Sequence, residues 1–314
     1  MTTAYQSAWI PTAQVTHHSG SPLHPNAVFF APPPPEIGAV ITAAGTDSNP
    51  SNWGILGFLL LLLLAGVTMT VGYLIFNAIG TDASLSWLGG GLLAVLTSWF
   101  FGVQIRDRYF ERPESSYVGE LGVARYWQTR KGLEGNILRF SETSGLYKKV
   151  TQVYRNNLYQ GLSFDLTWNN QTSRKPFTIQ GWAEQGKSTS YSFGLAAERI
   201  WTKIRLDRAQ TELAQIGVTR FSTDYGTALE VGSGFINVIL PSGEIKRINA
   251  NEIELNSGDG KLEIRRVRRQ SIEETSFNLR DFVYVIVKFE DLEDINAFLY
   301  LFHAIVLRTS ILPS

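Results

Sequence analysis

The sequence predicts a membrane-anchored α+β protein, in which a hairpin of two transmembrane helices precedes one or two small β-rich domains, each closed by a C-terminal helix. Three observations lead to this prediction. Two long uncharged apolar runs, 55–76 and 85–105, are separated by a short polar turn. Every Lys and Arg follows the second run. Beyond residue 123, short alternating strands followed by an amphipathic helix occur twice.

The first apolar run includes six consecutive leucines, in GFLLLLLLAG (57–66). A helix rises 1.5 Å per residue, so about 20 apolar residues cross a hydrocarbon core of ~30 Å. Both runs reach that length, and tryptophans flank them at Trp53 and Trp99, as is typical of membrane interfaces. A signal peptide is excluded because no basic residue precedes the first run. We therefore predict a transmembrane hairpin at 53–106, with the lipid bilayer as its integral partner.

Basic residues set the predicted orientation. Arg106, Arg108 and Arg112 follow the second run directly, whereas the connecting turn has no Lys or Arg. By the positive-inside rule these membrane-proximal residues keep the C-terminal region in the cytoplasm, and two spans return the N-terminus to the same side. The sequence thus predicts an integral protein of the plasma or inner membrane, or of an internal membrane such as the thylakoid.

Small residues in the two apolar runs predict close helix contacts. Gly66 and Thr70 are four residues apart, as are Ala94 and Ser98, and GGG occupies 89–91. Small side chains let helix backbones approach closely. Packing within the hairpin and packing between copies in a homo-oligomer explain this pattern equally well.

The first 52 residues are predicted to be a disordered, proline-containing tail. They carry few charges and the run APPPPE (31–36), whose prolines favour an extended chain. Three of the four histidines lie here, at His17, His18 and His24, but no fixed scaffold accompanies them, so we predict no metal site. The polar segment 107–122 is predicted to be a linker.

Two β-rich units follow, at 123–217 and 218–311. In the first, Asn156 and Asn157 suit a hairpin turn, STSYSF alternates like a strand, and a helix spans 195–216, with a stop at Gly217. In the second, PSGE and NSGDGK separate strands. Asp291 is the predicted N-cap of a final helix over 292–307.

The second unit resembles the pleckstrin-homology-like family. GFINVILPSGEIKRINANEIELNSGDGKLEIRR is similar to the run of hairpins of that family, and FEDLEDINAFLYLFHAI is similar to its terminal helix. The whole chain is similar to bacterial-type membrane proteins of unassigned function that pair a helical hairpin with such domains. The resemblance implies small β-barrels, each closed by its helix, and it carries no catalytic motif. The first unit matches this pattern less regularly.

One candidate binding site is the arginine cluster in KLEIRRVRRQ, with Arg265, Arg266, Arg268 and Arg269. Guanidinium groups near an anionic leaflet each contribute about 1 kcal/mol, so the cluster suits an anionic headgroup or phosphate. In the alternative, it is a solvated strand end balanced by nearby glutamates.

A second candidate is GWAEQGKS, Gly181 to Ser188, which matches the phosphate-loop pattern G-x-x-x-x-G-K-S. A working loop needs a helix that begins at Lys187. The predicted strand STSYSF after Lys187 therefore favours a chance match. Whether a helix begins there distinguishes the two hypotheses.

Composition limits the function. The chain has 28 basic and 28 acidic residues, without the basic excess of a nucleic-acid-binding protein, and it has no cysteine, which excludes disulfides and thiolate nucleophiles. We predict a membrane-anchored, non-enzymatic binding or scaffold protein, without cofactor or catalytic residues, whose cytoplasmic domains bind a protein partner or an anionic headgroup. The first alternative is an accessory subunit of a larger membrane complex, docked through its hairpin. A nucleotide-binding protein using Gly181 to Ser188 is the less favoured alternative.

Overall fold

The computed structural model describes nine stretches of the chain. They are residues 7–47, 53–80, 82–109, 113–129, 131–172, 175–184, 188–258, 260–266 and 283–306. Together these stretches contain five open β-sheets and four α-helices.

The described residues up to 216 contain three sheets and three α-helices. In chain order their elements are β1 (Ala27–Val28), β2 (Val40–Ala44), β3 (Thr46–Asp47), α1 (Trp53–Ala78), α2 (Ala83–Tyr109), β4 (Glu114–Gly119), β5 (Gly122–Thr129), β6 (Gly132–Arg139), β7 (Thr143–Arg155), β8 (Leu158–Asn170), β9 (Phe177–Ala183) and α3 (Thr189–Ile216). Strands β2-β4-β5-β6 form one antiparallel sheet, β7-β8-β9 form a second, and β1 pairs with β3.

The described residues from 218 onward contain two sheets and one α-helix. Their elements are β10 (Val218–Ser222), β11 (Ala228–Gly232), β12 (Phe235–Ile239), β13 (Ile245–Asn249), β14 (Ile253–Gly258), β15 (Lys261–Arg266), β16 (Val283–Lys288) and α4 (Ile295–Leu301), which continues as a π-helical turn, Phe302–Val306. Strands β10-β11-β12-β13 form one antiparallel sheet and β14-β15-β16 form the other.

The two units therefore share one plan: a four-stranded sheet, a three-stranded sheet and a closing helix. We call β2 with β4 to α3 the first unit and β10 to α4 the second. In the first unit, β2 pairs directly with β4, with Ala44 opposite Ser116. Helices α1 and α2, here called the helical hairpin, are thus an insertion between the first two strands of that sheet.

Each unit has its own buried core. In the first, Trp168 and Leu166 of β8 pack with Phe193 and Trp201 of α3. In the second, aromatic side chains dominate, and Phe221 meets Phe298 edge to face at a centroid distance of 5.4 Å. Burial of such side chains from both sheets and the helix fixes each helix against its strands.

The predicted β-barrels are wrong, because the sheets are open. Short 3-10 turns at Phe140–Glu142 and Ala250–Glu252 separate the four-stranded sheet from the three-stranded sheet in each unit. No ladder joins β6 to β7 or β13 to β14 among the described residues, so neither sheet closes on the other.

The predicted membrane anchor requires a correction. The apolar runs do form a helical hairpin, yet within the described residues no helix has the length and apolar character needed to cross a membrane. This finding overturns the two-span integral membrane protein with cytoplasmic termini.

The predicted disorder of the N-terminal region is also wrong for residues 7–47. Phe29 and Ile37 are buried there and pack with Tyr117 of β4. Pro34 precedes a 3-10 turn, and β2 joins the first sheet. These few apolar side chains find a partner surface in a strand distant in sequence, which composition does not reveal. Likewise, β4 occupies much of the predicted linker.

The predicted strand STSYSF is instead the first part of α3. Ser188 has an extended backbone, and its hydroxyl accepts a hydrogen bond from the Tyr191 amide at 3.0 Å, which is a typical N-cap. The helix ends as predicted, at Gly217, whose φ of 82° is left-handed. The turn at Asn156 and Asn157 is confirmed, since both residues have positive φ.

Candidate functional site

A line of buried residues on α3 builds the joint between the two units. Phe193, Ala197, Trp201, Arg205 and Ala209 recur every four residues, and all are buried. The first three pack in the core of the first unit, and Ala209 packs in the core of the second. Helix α3 therefore belongs to both units, and Arg205 lies where the two cores meet.

Asp294, the residue before α4, is the centre of this joint. Its Oδ1 accepts hydrogen bonds from the Leu146 amide at 2.9 Å and from the Trp201 Nε1 at 2.5 Å. Its own amide donates to the Leu146 carbonyl at 2.8 Å. Its Oδ2 lies 3.3 Å from the Nε of Arg205. One carboxylate of the second unit is therefore bound by β7 and α3 of the first.

Arg205 extends the joint into β10. Its Nη2 donates to the Arg220 carbonyl at 2.7 Å and to the Thr219 hydroxyl at 3.2 Å. Its guanidinium lies 4.7 Å from the ring centroid of Phe221. A planar guanidinium suits such a buried site because its fixed fork of donors serves several acceptors at once.

Further contacts reinforce the joint beside Asp294. Glu198 of α3 accepts hydrogen bonds from Lys148 at 2.7 Å and from Asn296 of α4 at 2.7 Å. Lys149 forms an ion pair with Glu290 at 2.8 Å. Glu198 is buried, so its pairs are shielded from solvent, whereas the exposed Lys149 pair contributes little.

Burial dominates the acid–base properties of the joint. It raises the pKa of Asp294 to about 6, against the opposing effect of the bonds from Trp201, Leu146 and Arg205. Burial, and then the Asp294 charge, raise the pKa of Glu293 to about 8. Two adjacent carboxyl groups at the joint therefore titrate near neutral pH.

Strand β7, which contains Leu146 of the joint, also forms a two-stranded extension with β8. Strand β9 pairs with β8 only over Leu162–Trp168, so residues 153–161 of β7 and β8 form a two-stranded extension. This extension and the two preceding residues of β7, together residues 151–161, are here called the ribbon. Two asparagines with φ of 52° and 61° make its turn. Because β7 contains both Leu146 and the ribbon residues up to Arg155, the joint fixes the base of the ribbon.

Aromatic and aliphatic side chains are exposed on this ribbon. Tyr154 lies opposite Tyr159, with ring centroids 5.6 Å apart and edge to face. Tyr154 is 58% exposed, and Leu158 is 68% exposed. Trp182, exposed beside the ribbon, covers Gly161, where a Cβ would lie 2.8 Å from the indole. Tyr and Trp are enriched in the centres of protein interfaces.

The structure places the predicted arginine cluster only in part. Arg265 and Arg266 end β15, and Arg265 bonds to Glu263 and lies opposite Glu254. Arg268 and Arg269 lie outside the described residues. Arg106 and Arg108 lie in the last turn of α2, and Arg112 lies outside the described residues. A headgroup or phosphate role for the cluster therefore stays a prediction.

The phosphate-loop candidate lies between β9 and α3. Gly181 is a residue of β9, and Ser188 is the N-cap of α3. Residues 185–187 lie outside the described part of the chain. Strand β9 thus includes the first three residues of the motif, and a helix follows the motif in place of the predicted strand. Nucleotide binding stays the less favoured, untested alternative.

The N-terminal histidines have no metal-site geometry where the structure describes them, since it brings no three His, Asp or Glu side chains together for an ion. His18 is buried, with Nδ1 2.9 Å from the Thr42 hydroxyl and Nε2 3.0 Å from the Ser116 hydroxyl. Burial lowers the pKa of His18 to about 3. This neutral imidazole joins the N-terminal segment to β4.

Sequence reasoning missed Asp294, Arg205 and Glu198. It predicted the N-cap of the last helix at Asp291, which lies in a 3-10 turn, and it gave no role to the charged residues of α3. The available signal was the four-residue spacing from Phe193 to Ala209, which includes Arg205. A charged residue in such a series indicates a buried ion pair, but not its partner.

Fold and site together define a class: a tandem of two similar β-units, joined by a buried carboxylate and interrupted by a helical hairpin. No protein-family description, curated protein or solved structure matches the chain.

Proposed function

We propose that the protein is a non-enzymatic binding protein whose ribbon contacts a protein partner. The observation that carries the proposal is the exposed pair Tyr154 and Tyr159 beside Leu158 at the end of a projecting strand pair. Each aromatic ring offers a large contact area and few rotatable bonds to immobilise on binding.

The joint supports this function because it pre-orders the ribbon. Leu146 and Lys148 of β7 are tied to Asp294 and Glu198, so the strand is anchored to α3 and to the second unit before it leaves the sheet. A binding element on a rigid base loses less conformational entropy in a complex than one on a free loop.

The side chains of the ribbon also indicate the chemistry of the partner. Tyr154 donates its hydroxyl to Gln152 at 2.9 Å, and the ribbon carries Arg155 but no acid. An apolar pocket with an acidic or amide rim fits this mixture of aromatic rings and one cation. The partner is therefore expected to be a folded protein with such a pocket.

A photo-crosslinking experiment tests the proposal. A benzophenone amino acid replaces Leu158 in one protein and Ser242, in the exposed turn between β12 and β13, in another. We expect one dominant protein adduct from position 158 and none from position 242. With the purified partner, the Tyr154→Ala and Tyr159→Ala double variant should bind at least tenfold more weakly, because interface aromatics often contribute ≥ ~2 kcal/mol each.

Thr151→Ala is the matched control, since Thr151 is exposed on the same ribbon but has no aromatic ring. It should retain affinity. Equal crosslinking from positions 158 and 242, or unchanged affinity in the double-tyrosine variant, would contradict the proposal.

A further inference from the structure

The helical hairpin is closed by glycines that face its interior. A Cβ on Gly72 would lie 2.8 Å from the Cα of Gly90, and a Cβ on Gly90 would lie 2.5 Å from the Met69 carbonyl oxygen. A Cβ on Gly89 would overlap the ring of Phe76. These glycines serve contacts between α1 and α2, so they do not account for the outer faces of the hairpin.

The outer faces carry apolar stripes with a four-three-four spacing. On α1 the stripe is Leu63, Val67, Thr70 and Leu74, and on α2 it is Leu88, Leu92, Val95 and Trp99. The apolar members are 52–74% exposed. The Thr70 hydroxyl is satisfied by the Gly66 carbonyl at 2.9 Å. Alternating steps of four and three residues, which make a seven-residue repeat, are the spacing by which helices pack against other helices.

Gly66 lies beside the α1 stripe and leaves open space on the helix surface. A Cβ built on Gly66 meets nothing within 4 Å, and the same is true of Gly91 on α2. These two glycines therefore differ from Gly72 and Gly90, because their open sides face outward. A helix from another molecule could approach the backbone closely at Gly66.

We propose that these outer stripes pack against the helical hairpin of a second copy of this chain. Between residues 53 and 105 the only charged residue is Asp82, in the turn, so a complementary surface must also be long, helical and uncharged. The hairpin of a second copy has these properties, and symmetric pairing of identical patches is the commonest way in which proteins form dimers.

The size of the hairpin is sufficient for such a contact. Each stripe lies on the side of its helix that is turned away from the other helix, so the two stripes are on opposite sides of the hairpin. Helices α1 and α2 have 26 and 27 residues, which is about 40 Å at 1.5 Å per residue, and a helix is about 11 Å wide. One outer side therefore offers roughly 450 Å² per copy, or roughly 900 Å² in total, close to the ~1,000 Å² of a specific interface.

The association state of the full chain tests this inference without reference to the ribbon. Sedimentation should show a dimer or a higher assembly of the parent protein. Leu63→Lys with Leu92→Lys should weaken self-association at least tenfold, because both side chains are about two-thirds exposed and a charge on the stripe would be buried in the contact. Leu133→Lys, an exposed leucine of β6, is the matched control and should self-associate like the parent.

Two further variants make the result independent of the introduced charge. Gly66→Leu adds bulk where the hairpin has open space, so it should fold normally and weaken self-association. In this cysteine-free chain, Thr70→Cys should give a disulfide-linked dimer on oxidation, whereas Ser242→Cys should not. A monomeric parent, or association unchanged in both the lysine and the Gly66 variants, would overturn the inference. The inference would also be overturned if the protein stayed monomeric and its stripes bound only another protein or lipid vesicles.

Discussion

The residues that precede the closing helices of the two units make opposite use of their side chains. Ser188 has an extended backbone and caps its own helix through the Tyr191 amide. Asp294 has a left-handed backbone with φ of 52°, and its side chain makes no capping hydrogen bond. Its carboxylate instead binds Leu146 and Trp201 of the other unit.

This comparison shows how a local function becomes a long-range one. A side-chain cap contributes about 1 kcal/mol to a helix, and a left-handed residue other than glycine is strained. At Asp294 the second unit lacks the side-chain cap and has the strained left-handed backbone. In return, charge-assisted hydrogen bonds form in the buried joint, where Arg205 supplies the opposite charge.

The largest expected effect is the loss of the Asp294 carboxylate. Asp294→Ala should lower the free energy of unfolding by about 3–5 kcal/mol, because it leaves the buried Leu146 amide and Trp201 Nε1 without their acceptor and leaves Arg205 with Glu212, 3.5 Å away, as its remaining acid. Urea denaturation followed by tryptophan fluorescence measures this change, and Trp201 at the joint is a direct reporter.

Asp294→Asn is the control for backbone strain, since asparagine tolerates left-handed φ and retains a carbonyl acceptor for Leu146 and Trp201. Its loss of stability should be smaller than that of Asp294→Ala. If Asp294→Ala lowered the free energy of unfolding by less than about 1 kcal/mol, the joint would stabilise the protein no more than an ordinary helix cap does.

The joint should also make stability depend on pH. The folded-state pKa values of Asp294 and Glu293, about 6 and about 8, lie above their ordinary values. The folded protein then binds more protons than the unfolded chain between about pH 4 and pH 8, so stability rises as the pH falls through this window. We expect unfolding free energies about 1–3 kcal/mol higher at pH 5.5 than at pH 8.5.

Glu293→Gln separates this dependence from that of other groups. The glutamine side chain does not titrate, so the slope of unfolding free energy against pH between pH 6.5 and 8.5 should flatten. Denaturation series at several pH values measure the slope. Stability that increases with pH across this window in the parent would show that the ion pair with Arg205, rather than burial, controls the joint.

A smaller effect is expected at the matching position of the first unit. Ser188→Ala removes the hydroxyl that accepts from Tyr191, so stability should fall by about 1 kcal/mol. Ser188→Asp should restore most of the loss, because a carboxylate also caps and suits the positive end of a helix dipole. A loss as large as that of Asp294→Ala would erase the distinction between the two caps.

Much of the local structure could be predicted from the sequence. The hairpin helices, the turn at Asn156 and Asn157 and the helix stop at Gly217 follow from signals carried by a few neighbouring residues. The repeat of strands followed by a helix was also visible. Periodicity and turn residues act locally, so they can be read without knowing what packs against them.

The joint could not be predicted in this way. Asp294 and Leu146 are 148 residues apart, and neither carries a signal for the other. The four-residue spacing from Phe193 to Ala209 includes Arg205, but the identity of its partner depends on how the units meet. The order of residues 7–47 was missed for the same reason, since His18 is held by Ser116 of β4.

The smallest expected effect is that of Lys187→Ala on nucleotide binding, where we expect no change from the parent. In a phosphate loop the amides after the first glycine must be free to bind phosphate. Here Gly181 lies opposite Phe164, and Trp182 and Ala183 continue the ladder with β8. The hydroxyl of Ser188 accepts from Tyr191, as an ordinary cap does.

The second unit sharpens this reading of the motif. Its connection between β16 and α4 carries four acidic residues, Glu290, Asp291, Glu293 and Asp294, and no Lys or Arg that could bind phosphate. The connection before the closing helix thus caps that helix in the first unit and binds the other unit in the second. By calorimetry with Mg²⁺, the parent and Lys187→Ala should show the same negligible heat with ATP and with GTP. Micromolar binding by the parent that is lost in the variant would make residues 181–188 a nucleotide site, and the two connections would then differ in function as well as in capping.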